Sequence, residues 1–244
     1  WVHAQKILTD HLGIDSWEMV AGGSLGGMQA LQWAISYPNK IKKAAIIAAS
    51  SKISSQNIAL NEVAREIIRK DENFWEGNYL VKNTKPKKGL KAARMLGHIT
   101  YLSEANMSKR FGRKLQNPDT KIDEQINYEV ENYLQYKGEQ FAESFDANSY
   151  ILMTKAMDSF DPAKDFNNDL IECFRQIQAK LLIASFDSDW LFPKEYGMDL
   201  QITAIKAGLN SSYIELDGDY GHDSFLFYSN EYSTSLKNFL ESNE

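Results

Sequence analysis

The sequence has a single cysteine, Cys173, which excludes an internal disulfide and points to a reducing, cytoplasmic compartment. Cys173 lies in "LIECFRQIQ", a helical pattern with no glycine turn around it, so it is not expected to be a nucleophile. Long apolar runs are also missing: none approaches the roughly 18 residues that a membrane span requires. Basic residues are outnumbered, 27 Lys and Arg against 33 Asp and Glu, and a net charge of −6 argues against a nucleic-acid surface. The acidic fragments "DSD" and "DGD" come without EF-hand spacing and without a His/Cys ligand set, so no metal is expected. Internal repeats and low-complexity tracts are lacking too. What remains is the composition of an ordinary globular protein, 43% hydrophobic and 25% charged, in 244 residues. The first residue is tryptophan rather than methionine, so the chain is expected to continue upstream, and the lack of a signal peptide says little about targeting.

The most informative stretch is "AGGSLGGMQALQWAISYP", residues 21–38, with four glycines around Ser24. Glycines 22, 23, 26 and 27 imply a backbone turning too sharply for side chains. Upstream, "WEMVA" has strand length; downstream, Met28, Leu31 and Ile35 fall at helical spacing. Strand, tight turn, helix is the setting in which Gly-x-Ser-x-Gly becomes a nucleophile elbow, with the Leu25 N–H facing the reacting carbonyl oxygen. The competing reading is a glycine-rich turn whose serine caps the helix.

Elsewhere "HAQKILTDHLGI" (3–14) predicts a helix stopped by Gly13, and "IKKAAIIAAS" (41–50) a second buried strand. Two more strands follow much later, "AKLLIASF" (179–186) and "SSYIELD" (211–217), with helices around 196–208 and at "EYSTSLKNFLES". The class is α/β, a parallel sheet interrupted by a long insertion. The insertion, residues 52–169, reads as helices at "SQNIALNEVAREIIRK", "KGLKAARMLGHITYL", "DEQINYEVENYLQYKGEQFAESF" and "NSYILMTKAMDSF", joined by turn-rich "NTKPKKG" and "QNPDT". Such an insertion is where a lid over an active site would sit, leaving 1–51 and 170–244 as the core. The lysines of "VKNTKPKKGLK" suit either the phosphates of a nucleotide-containing cofactor or a solvated loop. Because a nucleophile strand is central in sheets of this type and here comes first, the N-terminal part of the sheet is expected to lie in preceding sequence.

A serine hydroxyl needs a base and usually a carboxylate to orient it. In hydrolase-type folds the order is Ser, Asp or Glu, His. "DSDWLFP" follows one late strand and "GDYGHDSF" the next, which supplies His222 as the base and leaves Asp187 and Asp189 as candidate acids, one of them a turn former. His3 and His11 fall on the first helix and His98 in the insertion, where structural roles are expected.

The blocks "GGSLGGMQALQWA", "QNIALNEVAR", "ARMLGHITYLS", "FDANSYILMTKAMD", "SDWLFP" and "YGHDSFL" resemble the homoserine O-acetyltransferase family of α/β-hydrolase-fold enzymes, across essentially the whole chain. The resemblance implies Ser24 as nucleophile, Asp189 as the orienting acid and His222 as base. It also implies that Arg94, with Tyr101 nearby, binds the substrate carboxylate and that Asp223 meets its ammonium, roles that suit a planar guanidinium and an acceptor-only carboxylate. The implied activity is acetyl transfer from acetyl-CoA, a co-substrate rather than a bound cofactor, to L-homoserine in methionine biosynthesis. Family variants use succinyl-CoA or L-serine, and the alternatives from other classes are a carboxylic-ester hydrolase with the same three residues and a non-catalytic scaffold. A homodimer through the lid is expected from the family, with an exposed apolar lid face as its physical signature. The preceding segment, with the second oxyanion N–H of such enzymes, is expected outside this sequence, leaving the Leu25 donor.

Overall fold

A computed structural model describes residues 1–117 and 128–242. Its contacts divide the chain into two units, Trp1–Lys52 with Phe160–Glu244, and Ile53–Ser159.

The first unit is built on four parallel strands, β1 (Trp17–Gly23), β2 (Ile41–Ile47), β3 (Lys180–Phe186) and β4 (Ser211–Leu216), in the spatial order β1-β2-β3-β4. Around them lie α1 (Val2–His11) and α2 (Leu25–Ser36), and from the later half of the chain a short helix at Leu170–Phe174 and longer ones at Lys194–Lys206 and Asn230–Glu241. Parallel strands covered on both faces read as continuous apolar runs, and β2 illustrates why. Its Ala44 and Ile46 face a core with Leu31 and Ala34 of α2 and Leu200 and Ala204 of the 194–206 helix. Its Ala45 and Ile47 face a second core with Leu182, Ala184, Tyr232 and Phe239. Gly13, at φ +68, stops α1 in the left-handed turn that glycine tolerates.

In this sheet β1 is an end strand whose described neighbour is β2, paired from Trp17↔Ile41 to Gly23↔Ile47. Ile47 pairs with Ala184, and Phe186 with Leu216. All four strands therefore deliver their following loops to one end of the sheet.

The second unit contains α3 (Ser55–Arg69), α4 (Lys87–Tyr101), α5 (Glu104–Arg110), α6 (Glu129–Ser144) and α7 (Ala147–Ser159). Ile68, Phe74, Tyr79, Leu90, Ala93 and Ala142 form its core. Small residues let the helices approach: a Cβ on Gly89 would lie 2.8 Å from the Ile68 Cα, and one on Gly138 2.8 Å from the Lys91 carbonyl oxygen. The expected helix from Asp123 is described from Glu129; its first residues, and most of "QNPDT", lie outside the described residues. Two features differ from the sequence reading. Residues 160–169, grouped there with the insertion, cluster with the sheet unit, because Phe160 and Phe166 pack against its core. Helix α5 was not anticipated; at seven residues it is too short to show a period, and its start is fixed by the Ser103 hydroxyl accepting the Asn106 N–H at 3.1 Å. No helix of the described residues is long and apolar enough to cross a membrane.

Candidate active site

Ser24 occupies a left-handed conformation, φ 56° and ψ −123°, that a non-glycine residue adopts only at a cost. The turn is pinned on both sides: the Ser24 N–H donates to the Ile47 carbonyl at 2.9 Å, and its carbonyl accepts from Gly27 and Met28 at 2.9 and 3.1 Å. Although Ser24 stands at the N-cap of α2, its side chain makes no capping bond, so the hydroxyl is not spent on the helix. The Leu25 N–H lies in the first turn of α2, where backbone donors have no intrahelical acceptor.

The four glycines are not equivalent. A Cβ on Gly22 would fall 2.3 Å from the Gly26 backbone, one on Gly27 2.6 Å from the Ala49 Cβ, and one on Gly23 2.4 Å from the Phe225 ring. A Cβ on Gly26 would meet nothing within 4 Å. None of the four has a positive φ; crowding requires three of them, and the left-handed turn falls on the serine itself.

Asp189 and His222 meet in the interior of the sheet unit. His222 Nδ1 lies 2.7 Å from Asp189 Oδ2, with His222 4% and Asp189 3% exposed. The second carboxylate oxygen, Oδ1, accepts the N–H groups of Leu191 and Phe192 at 3.0 and 2.8 Å, so the acid is held from three directions. Asp187, the other candidate acid, is exposed, and its carboxylate accepts the Gly218 N–H at 2.8 Å, tying the loop after β3 to the loop after β4. Ser188 reinforces that tie, donating to the Gly218 carbonyl and accepting the Gly221 N–H. Half-buried Asp223 follows His222 in the short helical turn Gly221–Leu226.

Two aromatic rings hold the imidazole, and the sequence alone did not single them out. Phe192 stacks on His222 with centroids 5.0 Å apart and planes 23° apart, and Phe225 meets it edge-on at 5.6 Å and 71°. Phe225 also fills the space left by the absent side chain of Gly23, which links the elbow to the histidine loop. Both phenylalanines stand within three residues of Asp189 or His222, the one signal available in advance.

In the helical unit, the half-buried Arg94 guanidinium lies over the rings of Phe141 and Tyr101 at 4.7 and 5.3 Å. Its Nε donates to His98 Nε2 at 3.2 Å. Of the five lysines considered for a phosphate, Lys87 pairs with Glu143, Lys88 with Glu72 and Lys91 with Glu139, Lys85 donates to the Glu143 carbonyl, and Lys82 lies over the Trp75 ring at 5.5 Å. That arrangement is a solvated, salt-bridged surface rather than an anion cradle.

A family model described as alpha/beta hydrolase fold matches residues 1–228. The chain belongs to the alpha/beta hydrolase fold family. Within that family it is 48% identical over 240 residues to a homoserine O-succinyltransferase of Neisseria gonorrhoeae, covering 98% of this chain and 63% of the relative. It is 50% identical over 226 residues to a homoserine O-succinyltransferase of Dechloromonas aromatica, covering 93% of this chain and 60% of the relative. The chain thus spans about three fifths of the length of these curated relatives. Among solved structures, a homoserine O-acetyltransferase from Bacillus anthracis superposes with a TM-score of 0.90 at 24% identity, over 99% of this chain and 64% of that one. Esterase E22 gives a TM-score of 0.87 at 25% identity, over 98% of this chain and 65% of that one. The first of these likenesses speaks for the fold alone. An alpha/beta hydrolase fold also accounts for the common end of the sheet at which Ser24, Asp189 and His222 stand.

Proposed function

We propose that the protein transfers an acyl group from acyl-CoA to the hydroxyl of L-homoserine through an acyl-Ser24 intermediate, in methionine biosynthesis. The observation that carries the chemistry is the buried 2.7 Å contact between Asp189 Oδ2 and His222 Nδ1, at the same end of the sheet as a serine held in a left-handed elbow. With Nδ1 donating to Asp189, His222 Nε2 is left as the acceptor for the Ser24 proton. Ser24 Oγ attacks the thioester carbonyl, His222 takes the proton, and the Leu25 N–H stabilises the oxyanion. Collapse expels CoA, whose thiolate takes the proton back from His222. His222 then deprotonates the homoserine hydroxyl, which attacks acyl-Ser24; the bond from the acyl carbon to Ser24 Oγ breaks, Oγ takes the proton back from His222, and the ester product leaves. Homoserine is the acceptor on the strength of the relatives' names and of the resemblance, which gives its carboxylate to Arg94, beside Tyr101, and its ammonium to Asp223.

Relatives and local chemistry pull apart on the donor. The relatives are named for succinyl transfer. A succinyl group carries a distal carboxylate that a cation would be expected to receive. The stretches that follow the four strands, residues 24–26, 48–54, 187–193 and 217–224, contain a single lysine or arginine, Lys52, and it is paired with Asp161 at 2.7 Å. The sheet unit therefore favours an uncharged acyl group, and acetyl-CoA is the donor proposed. The assembly proposed is a homodimer through the helical unit, supported by the exposure there of Trp75 (50%), Leu80 (75%) and Val81 (86%).

Protein expressed from its complete reading frame and incubated with acetyl-CoA or succinyl-CoA alone should gain one acyl group on the Ser24 peptide, faster from acetyl-CoA, and lose it to homoserine rather than to L-serine. Faster succinylation would overturn the donor. Turnover of simple acyl esters in water, with no gain from homoserine, would replace the transferase reading with an esterase.

A further inference from the structure

His98 is a buried titratable side chain for which the mechanism above has no use. It is 6% exposed, one helical turn after Arg94 on α4, with its ring edge-on to Tyr101 at 6.0 Å and to Tyr133 of α6 at 5.7 Å. Burial, together with the cations Arg94, Lys137 and Arg110, pushes its pKa down to about 4, so at working pH the ring is neutral. Because Nε2 accepts from Arg94 Nε, the ring proton sits on Nδ1, a buried atom with no hydrogen-bond partner among the described residues. An apolar side chain would avoid that orphaned N–H. What the histidine supplies is the bond to the arginine.

Arg94, half-buried, differs from the buried Arg65 of this unit. Arg65 is neutralised by Glu62 and Asp158, each at 2.7 Å. Among the described residues no carboxylate pairs with Arg94. Instead, three neutral groups fix it: Phe141 and Tyr101 set the plane of the guanidinium, and His98 occupies the Nε–H. A guanidinium can grip a carboxylate through its Nη pair or through Nε with one Nη. With Nε taken, the Nη pair remains.

We propose that His98 is a positioning residue for the acceptor: by holding Arg94 Nε it presents the two Nη groups, end-on, to the carboxylate of the amino-acid substrate. The inference rests on the homoserine reading above, and its test separates the two. In His98→Phe the acceptor is lost, and in His98→Asn a polar group is kept but its oxygen falls short of the Nε2 position. Both should raise the KM for homoserine about tenfold, the effect of losing one hydrogen bond to a charged group. Acylation of Ser24 by acyl-CoA alone should stay within about twofold of the parent, because no amino-acid carboxylate takes part in it. His98→Gln, whose amide oxygen reaches the Nε2 position, should restore the parent KM. The proposal is overturned by an unchanged KM in His98→Asn, by equal loss in both half-reactions, or by His98→Gln behaving like His98→Phe. If the parent protein does not acylate homoserine at all, the function reading itself falls, and this inference with it.

Discussion

Asp189 in the sheet unit is buried and Arg94 in the helical unit half-buried, and the two are held by different means. Asp189 takes two backbone N–H groups, from Leu191 and Phe192, before it meets His222. Ser24 is likewise set by backbone, through Ile47 on one side and Gly27 and Met28 on the other. Arg94 is held by side chains alone, two rings and an imidazole on and around one helix face. A group fixed by backbone has one position, and disturbing it removes a chemical step. A group fixed by side chains can be loosened by degrees, and the change falls on affinity and choice of substrate.

The steepest test of that contrast is Asp189→Asn against Asp187→Asn. An amide at 189 loses the carboxylate that orients the His222 Nδ1–H, and kcat should fall by about four orders of magnitude, as when the acid of such a set is made an amide elsewhere. Asp187→Asn keeps an oxygen able to accept the Gly218 N–H and should cost less than about tenfold. Steady-state rates with circular dichroism as a folding control would decide, and the reverse ranking would show that the loop bridge, not the His222 contact, carries the chemistry.

Arg94 probes the other side of the comparison. Arg94→Lys keeps charge but loses the planar fork, and Arg94→Ala loses both, so the acceptor half-reaction should weaken in that order, by about tenfold and then about a hundredfold. Acylation of Ser24 should continue, and slow hydrolysis of the acyl-enzyme should become the main fate of the donor. Equal loss of both half-reactions in a well-folded Arg94→Ala protein would mean that the arginine supports the helical unit as a whole, and the contrast between the units would dissolve.

The same division governs how much the sequence reveals. Backbone demands leave a local trace: "GGSLGG" between a strand pattern and a helix pattern announces an elbow, and β2 and β3 are visible as apolar runs because both faces are buried. The order of "DSDWLFP" and "GDYGHDSF" marks the loops of the acid and base but not which aspartate faces inward, since Asp187 and Asp189 are equivalent as residue types. Three-dimensional contacts leave no such trace. Phe225 filling the place of a Gly23 side chain joins positions about two hundred residues apart, and nothing local in "ARMLGHITYLS" tells that His98 is buried and lends Nε2 to Arg94. Nor did the four glycines announce that Gly26 is spatially unconstrained.

The smallest effect expected concerns stability rather than turnover, and it tests whether the neutral His98 is part of the fold's acid response. Its pKa in the folded protein, about 4, lies below the ordinary 6.5, so between those values the unfolded chain binds the proton and the folded chain does not. Stability from this group is complete above about pH 6.5 and is lost as pH falls toward 4, a change of about 3 kcal/mol. Burial is the largest cause, and the charges that add to it are Arg94 on the same helix, Lys137 on α6 and Arg110 on α5. His98→Gln does not titrate there and keeps an acceptor for Arg94. Its urea midpoint should therefore fall less between about pH 7 and about pH 4.5 than that of the parent, with the two proteins closest in stability at the acidic end. Parallel pH profiles would mean that the imidazole takes up its proton over the same range in the folded and the unfolded chain, so that burial does not keep it neutral and its bond to the Arg94 Nε–H does not hold it in the acceptor form.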